Sequence, residues 1–204
     1  MSKRHVFEEM LNSEFRWPTK GDQPFVEASE PIDNAMIAEN DFTRLIHMIE
    51  GYKIAADLAV AHCNECNSER DILVYPIVFN YRQFIELSLK YQIATYGKLA
   101  NIEPVWNTHK LDVLWKHFQK ILDAYGTIDP DEADFTVASV IAEFSKIDPK
   151  SDAYRYPVDR NGVPLPMAFA ATHLENLADV MNAVAGYFTG CDGYLSSRDS
   201  IEGV

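Results

Sequence analysis

The chain is short of basic residues, of cysteine and of long apolar runs. Lysine and arginine make up 18 of its 204 residues against 31 aspartates and glutamates, a formal charge of -13. Such a surface repels nucleic acid as a whole, so any RNA or DNA contact requires a local basic cluster. Three cysteines, an odd number, do not make a disulfide framework. No stretch approaches the roughly 20 apolar residues of a membrane span. The amino terminus, MSKRHVFEEML, reaches Glu8 and Glu9 before an apolar run develops, which is not the pattern of a signal peptide. A cytoplasmic protein that makes no membrane contact is the expectation. GxGxxG, P-loop, HExxH and GxSxG sequences are also missing, and there is neither an internal repeat nor a low-complexity tract.

What is present is apolar and helical in period. Hydrophobic residues are 47% of the chain and aromatic ones 12%, ample for one core in a single domain. The densest stretch is YPIVFNYRQFIELSLKYQIATYG, from Tyr75 to Gly97. Ile77, Val78, Phe79, Tyr81, Phe84, Ile85, Leu87, Leu89, Tyr91 and Ile93 are too many for one narrow stripe, so this helix is expected to have neighbours on most sides. Arg82, Glu86 and Lys90 fall at i, i+4 and i+8, one above another on a single line. The line is either a wet face or a site. On a central helix such charges have to be paired or used, because breaking a buried pair costs roughly 3–5 kcal/mol.

Taken in order, residues from about His5 to Leu11 are expected to form a short helix, followed by an irregular arm to Pro31 pinned to the body by Phe15, Trp17 and Phe25. A second helical pattern runs from about Asp33 to His62. Ser68 and Asp71 resemble a start signal for the central helix, with Pro76 in its first turns. Thr108 is the expected N-cap of HKLDVLWKHFQKILDAY, with Gly126 ending that helix. Asp129, Pro130 and Glu132 are expected to open the next, reaching about Lys146. From Ile147 to Pro166 the periodicity stops, and Asn161-Gly162 suits a tight hairpin. A final helix is expected from about Met167 to Phe188. The fold class is therefore all-α, an up-and-down bundle of five or six helices with a hairpin-bearing loop before the last. Residues 1–32 form an arm, 33–190 the bundle and 191–204 a tail.

Few residues stand out for chemistry. Cys63 and Cys66 in HCNEC have CxxC spacing and adjoin His62, but a zinc site needs four ligands. A second CxxC is missing and Cys191 is far off, so a plain helix end without metal or cofactor is the reading kept. His109 is expected in the first turn after Thr108, where the helix dipole opposes protonation and favours an anion. His47, His117 and His173 lie on expected helices without a ligand-spaced partner. The loop IDPKSDAYRYPVDRNG gathers Asp148, Ser151, Asp152, Arg155, Tyr156, Asp159 and Arg160, as binding loops and structural turns both do. Tyr154 and Tyr156, two apart, would share one face of a short strand. Arg155 is expected to turn inward under flanking tyrosines.

Three stretches, YRQFIELSLK, THKLDVLW and AYRYPVDRNG, together resemble bacterial HEPN-like domain proteins, in which an RxxxELxLK helix is followed by an HxLxxLW helix. The likeness covers roughly residues 70 to 188. It implies a dimer, and either a metal-independent ribonuclease of a defence or toxin–antitoxin system or a non-catalytic nucleotide-binding or scaffold domain. The Arg-x4-6-His motif of the ribonuclease members is missing, so no catalytic residue is carried over. Two functions compete. One is binding of a nucleotide or RNA phosphate over Arg82, Glu86, Lys90, His109, Arg155 and Asp159. The other is a non-enzymatic dimeric scaffold or partner protein, whose charges pair internally and whose acidic surface meets another protein. The number of aromatic residues also favours a second interface, hence a homodimer.

Overall fold

The computed structural model describes residues 16–202, so the helix expected at His5 to Leu11 lies outside the described residues, as does Phe15. The described residues divide into two compact units, one ending at Ile37 and the other beginning at Ala38. In the first, Asp22 closes a turn by accepting from the Thr19 amide at 2.7 Å. The Asn34 side chain accepts from the Ala28 amide at 2.8 Å, beside a 3-10 turn over Pro31–Asp33. Phe25, expected to be buried, is 95% exposed.

Among its described residues the second unit is all helix and loop, with five α-helices: α1 (Asp41–Glu65), α2 (Arg70–Tyr96), α3 (Leu111–Ala124), α4 (Ala133–Ile147) and α5 (Leu174–Glu202). Among the described residues there is no strand, only an isolated antiparallel bridge between Val158 and Pro164. Helix α1 starts later than the periodicity of Met36 and Ile37 suggests. Asn40 is the reason, since its side chain accepts from the amides of Phe42 and Thr43 and fixes the first turn there. Ser68 is no cap either. It lies in a 3-10 turn, Asn67–Glu69, that leads directly into α2. Pro76 sits in the second turn of α2, where its missing N–H leaves a gap in the ladder but does not end the helix.

Helix α3 begins at Leu111 with Lys110 as N-cap, two residues after the expected cap; the Thr108 hydroxyl accepts from the Lys110 amide at 3.2 Å. Its end is as expected, with Gly126 left-handed at φ 65° and paired amide bonds from Gly126 to Asp123 and from Thr127 to Leu122. Asp129, Pro130 and Glu132 do not build a capping box. They form a turn in which Asp129 accepts from the Asp134 amide at 3.0 Å, so α4 starts at Ala133. Helix α5 starts seven residues later than expected and runs on through the presumed tail. His173 caps it, with Nδ1 3.3 Å from the Asn176 amide and its carbonyl accepting from Leu177.

Side-chain pairs give the helix directions. Phe42 with Tyr91, Tyr52 with Phe79 and Asp57 with Tyr81 make α1 and α2 antiparallel. Gln92 with the Phe188 carbonyl and Tyr96 with Asp192 set α5 parallel to α2. Contacts of Trp115 with Tyr187 and of Phe118 with Phe188 do the same for α3 and α5. Alternation thus fails only at the 97–110 connection, which runs back along α2 so that α3 is parallel to it. Helix α4 is antiparallel to α5, with Asp134 near its start accepting from Tyr187 in mid-α5 and Asp148 after its end beside Arg82. Helix α2 touches α1, α3 and α5. Ile77, Ile85, Leu89 and Ile93 are its fully enclosed centre, packed with Leu114, Phe118 and Ile121 of α3 and Met181 of α5. Each buried side chain of this size contributes about 1.5–3 kcal/mol relative to exposure.

The return after α2 depends on Gly97. Its carbonyl accepts from the Ile102 amide, and a Cβ there would lie 2.4 Å from the Ile102 backbone oxygen. Gly97→Ala should therefore cost about 1–3 kcal/mol, read as a lower denaturant midpoint at unchanged slope.

Candidate functional site

The line of charges on α2 is buried. Arg82, Glu86 and Lys90 are 0%, 2% and 5% exposed. Each arm of Arg82 has a partner in a different part of the chain. Nη1 donates to Glu86 Oε2 at 3.0 Å, Nη2 to the His109 carbonyl at 2.7 Å, and Nε to the Asp148 carbonyl at 3.1 Å. The Asp148 carboxylate, 1% exposed, lies 3.6 Å from Nε through Oδ2. Its Oδ1 accepts from the amides of Asp152 and Ala153.

Glu86 is the hub on the other side. Its Oε1 accepts from Lys90 Nζ at 2.9 Å and from His109 Nδ1 at 2.8 Å, while Lys90 also reaches the Trp106 carbonyl at 3.4 Å. Two buried carboxylates face two buried cations, so the cluster is neutral without its histidine. Burial pushes the Glu86 carboxyl up, but the hydrogen bonds and charges of Lys90 and His109 pull it down further, and it ends below the usual carboxylate range.

His109 does not occupy the first turn of α3 as expected. It precedes the Lys110 cap, and its ring folds back onto Glu86. The ring is 65% exposed. With Nδ1 donating to the carboxylate, Nε2 of the neutral ring is an acceptor.

Arg155 and Asp159 are not part of this cluster. Arg155 donates to the Ser151 carbonyl at 2.6 Å and pairs with Asp152 at 3.1 Å. Its guanidinium lies over Phe79 and Tyr156, 5.5 and 5.4 Å from the ring centres. The inward residues of the loop are instead Asp148 and Ser151, the latter at φ 62° and accepting from Gln83 Nε2 at 3.1 Å. Tyr154 and Tyr156 do not share a strand face, since the backbone turns there: Tyr154 is buried beside Tyr75 and Tyr156 is exposed. Asp159 is a turn residue. It accepts from the amides of Val163 and Asn161, which hold its carboxyl below the usual range. The turn is a three-residue loop with Gly162 at φ 78°, one residue longer than the two-residue hairpin expected.

Sequence reasoning passed over Asp148 as an ordinary turn former. Its only signal was Asp-Pro before a polar loop, which many exposed turns carry. Chemically, the arrangement clamps three chain segments and leaves one imidazole edge at the surface.

Comparison of the chain with family models, with curated proteins and with solved structures finds no match. The HEPN-like resemblance rests on the three quoted stretches. Among the described residues, no helix is long and apolar enough to cross a membrane.

Glu86→Gln strands Arg82 and Lys90 and should cost about 3–5 kcal/mol of unfolding free energy. In a double-mutant cycle it should couple strongly to Arg82→Met and negligibly to Arg155→Met, which lies outside the cluster. The pH dependence has a definite sign. Because the folded carboxyl is depressed, its contribution is complete above the unfolded value of about 4.3 and is lost as pH falls through the folded value. Acid unfolding profiles should show a loss below that point that is missing in Glu86→Gln.

Proposed function

We propose that this chain is a non-enzymatic, cytoplasmic scaffold that works as a symmetric homodimer. The complete burial of Arg82 carries the first part. A phosphate ligand needs cations it can reach, and here Arg82 and Lys90 are committed to Glu86 and to backbone carbonyls. The acidic surface argues the same way. Free thiols at Cys63, Cys66 and Cys191 suit a reducing compartment.

For the second part there is an apolar groove where α1 meets α2, lined by Phe42, Leu45, Met48, Leu87, Tyr91 and Trp106. Phe42 and Trp106 are half exposed, as residues awaiting a cover would be. Asp41 and Arg44, paired at 3.2 Å, stand on its rim. One acid and one base on the same rim suit a two-fold mate, in which Arg44 of one copy can exchange its Asp41 partner for that of the other. A basic partner would be drawn instead to the acidic faces. The HEPN-like resemblance implies a dimer as well.

A second reading, binding of a nucleotide or RNA phosphate as in HEPN-like modules, is favoured by one observation. The Glu86–His109 pair holds an exposed imidazole in a fixed orientation, as a proton acceptor requires. A defence or toxin–antitoxin role would follow from that reading.

Sedimentation at micromolar concentration should give twice the 23.2 kDa of one chain. Met48→Glu and Trp106→Glu should give monomers with unchanged helical circular dichroism. A mixed pool of nucleotides and short RNAs should not bind. A monomeric parent protein overturns the dimer, and a ligand affinity lost in His109→Ala would favour the second reading.

A further inference from the structure

The junction of α1 and α2 gathers three side chains of metal-binding type that the buried charge cluster does not use. The pairing suggested by the sequence, Cys63 with Cys66, is not what the fold presents: Cys63 is wholly enclosed in the core, on the inner side of α1. The last turn instead sets Cys66 four residues after His62. The Cys66 amide donates to the His62 carbonyl at 2.8 Å, so both side chains lie on one face. The 3-10 turn that follows carries Glu69 back over the same place, with Oε2 2.8 Å from His62 Nε2. One nitrogen, one sulfur and one carboxylate oxygen then lie within 4.8 Å of one another.

The donor set selects the ion. Calcium and magnesium take oxygen ligands, whereas mixed nitrogen, thiolate and carboxylate donors suit zinc and its neighbours. Bond lengths of about 2.0–2.3 Å to such an ion place tetrahedral donors farther apart than the present His62–Glu69 contact and closer together than the limit of the trio. The His62 and Glu69 side chains have to part slightly. Both are about half exposed and so have room to change rotamer. The nearby cation is turned aside, since Arg70 donates through Nε to the Cys63 carbonyl at 3.1 Å. Exposure on the outer side leaves a fourth position for water.

We infer that His62, Cys66 and Glu69 form a three-ligand site for a divalent cation of the zinc class, which clasps the end of α1 to the turn that begins α2. Cobalt(II) is the probe, added to the reduced full-length chain. One equivalent should produce thiolate-to-cobalt absorption in the near ultraviolet and the visible bands of a four-coordinate ion, and zinc should abolish both. The sulfur band should vanish in Cys66→Ser, weaken in His62→Gln and Glu69→Gln, and persist in Cys191→Ser. Zinc should raise the melting temperature of the parent chain and not that of Cys66→Ser, whose circular dichroism checks its folding. No sulfur band at one equivalent of cobalt, or a band that survives Cys66→Ser, would overturn the site.

Discussion

A guanidinium enclosed by protein has to be answered on every side, and Arg82 is enclosed completely. Its answer comes from Glu86 one turn along the same helix, from the His109 carbonyl before α3 and from the Asp148 carbonyl after α4. The path of the chain follows from this demand. The 97–110 and 148–173 connections return to the middle of α2 because the acceptors for Arg82 must be delivered there. An apolar side chain at the same place would pack without specifying which loop covers it.

The same demand explains why the line of charge on α2 faces inward and is paired there. Of the charged and titratable groups in the cluster, the imidazole of His109 is the one largely open to solvent, at the rim of Glu86. Lys90 is neutralised from within and is held to the Trp106 carbonyl besides. What the outside presents is the excess of acidic residues in a chain of net charge -13 and an apolar groove between α1 and α2.

Much of the bundle was legible in the sequence, because α2 and α3 show their period plainly and Gly126 has one use after a helix. The line of Arg82, Glu86 and Lys90 was legible too, since i, i+4 spacing fixes a face without knowledge of the fold. Helix starts were less so. Asn40, Lys110 and His173 begin helices at places where stronger sequence signals, the periodicity at Met36, Thr108 and the run from Met167, pointed earlier. The partners of the site were illegible for a different reason. Asp148 and Ser151 act through backbone placement 66 and 68 residues from Arg82 and Gln83, and nothing local distinguishes them from exposed turn formers. Glu69 meets His62 only because the 3-10 turn happens to fold back, which composition does not encode.

The span of these contacts bears on how the chain reaches this state. Helix α2 can form from its own residues, but the Asp148 carbonyl arrives across 66 positions of chain, so closing that loop carries an entropy cost that local structure does not meet. Until it closes, Arg82 lacks one of its buried acceptors. Where a cluster of this span closes late, damage to it speeds unfolding more than it slows folding. The loop that carries Asp148 is thus the cover whose departure readmits water to Arg82 at the centre of the bundle.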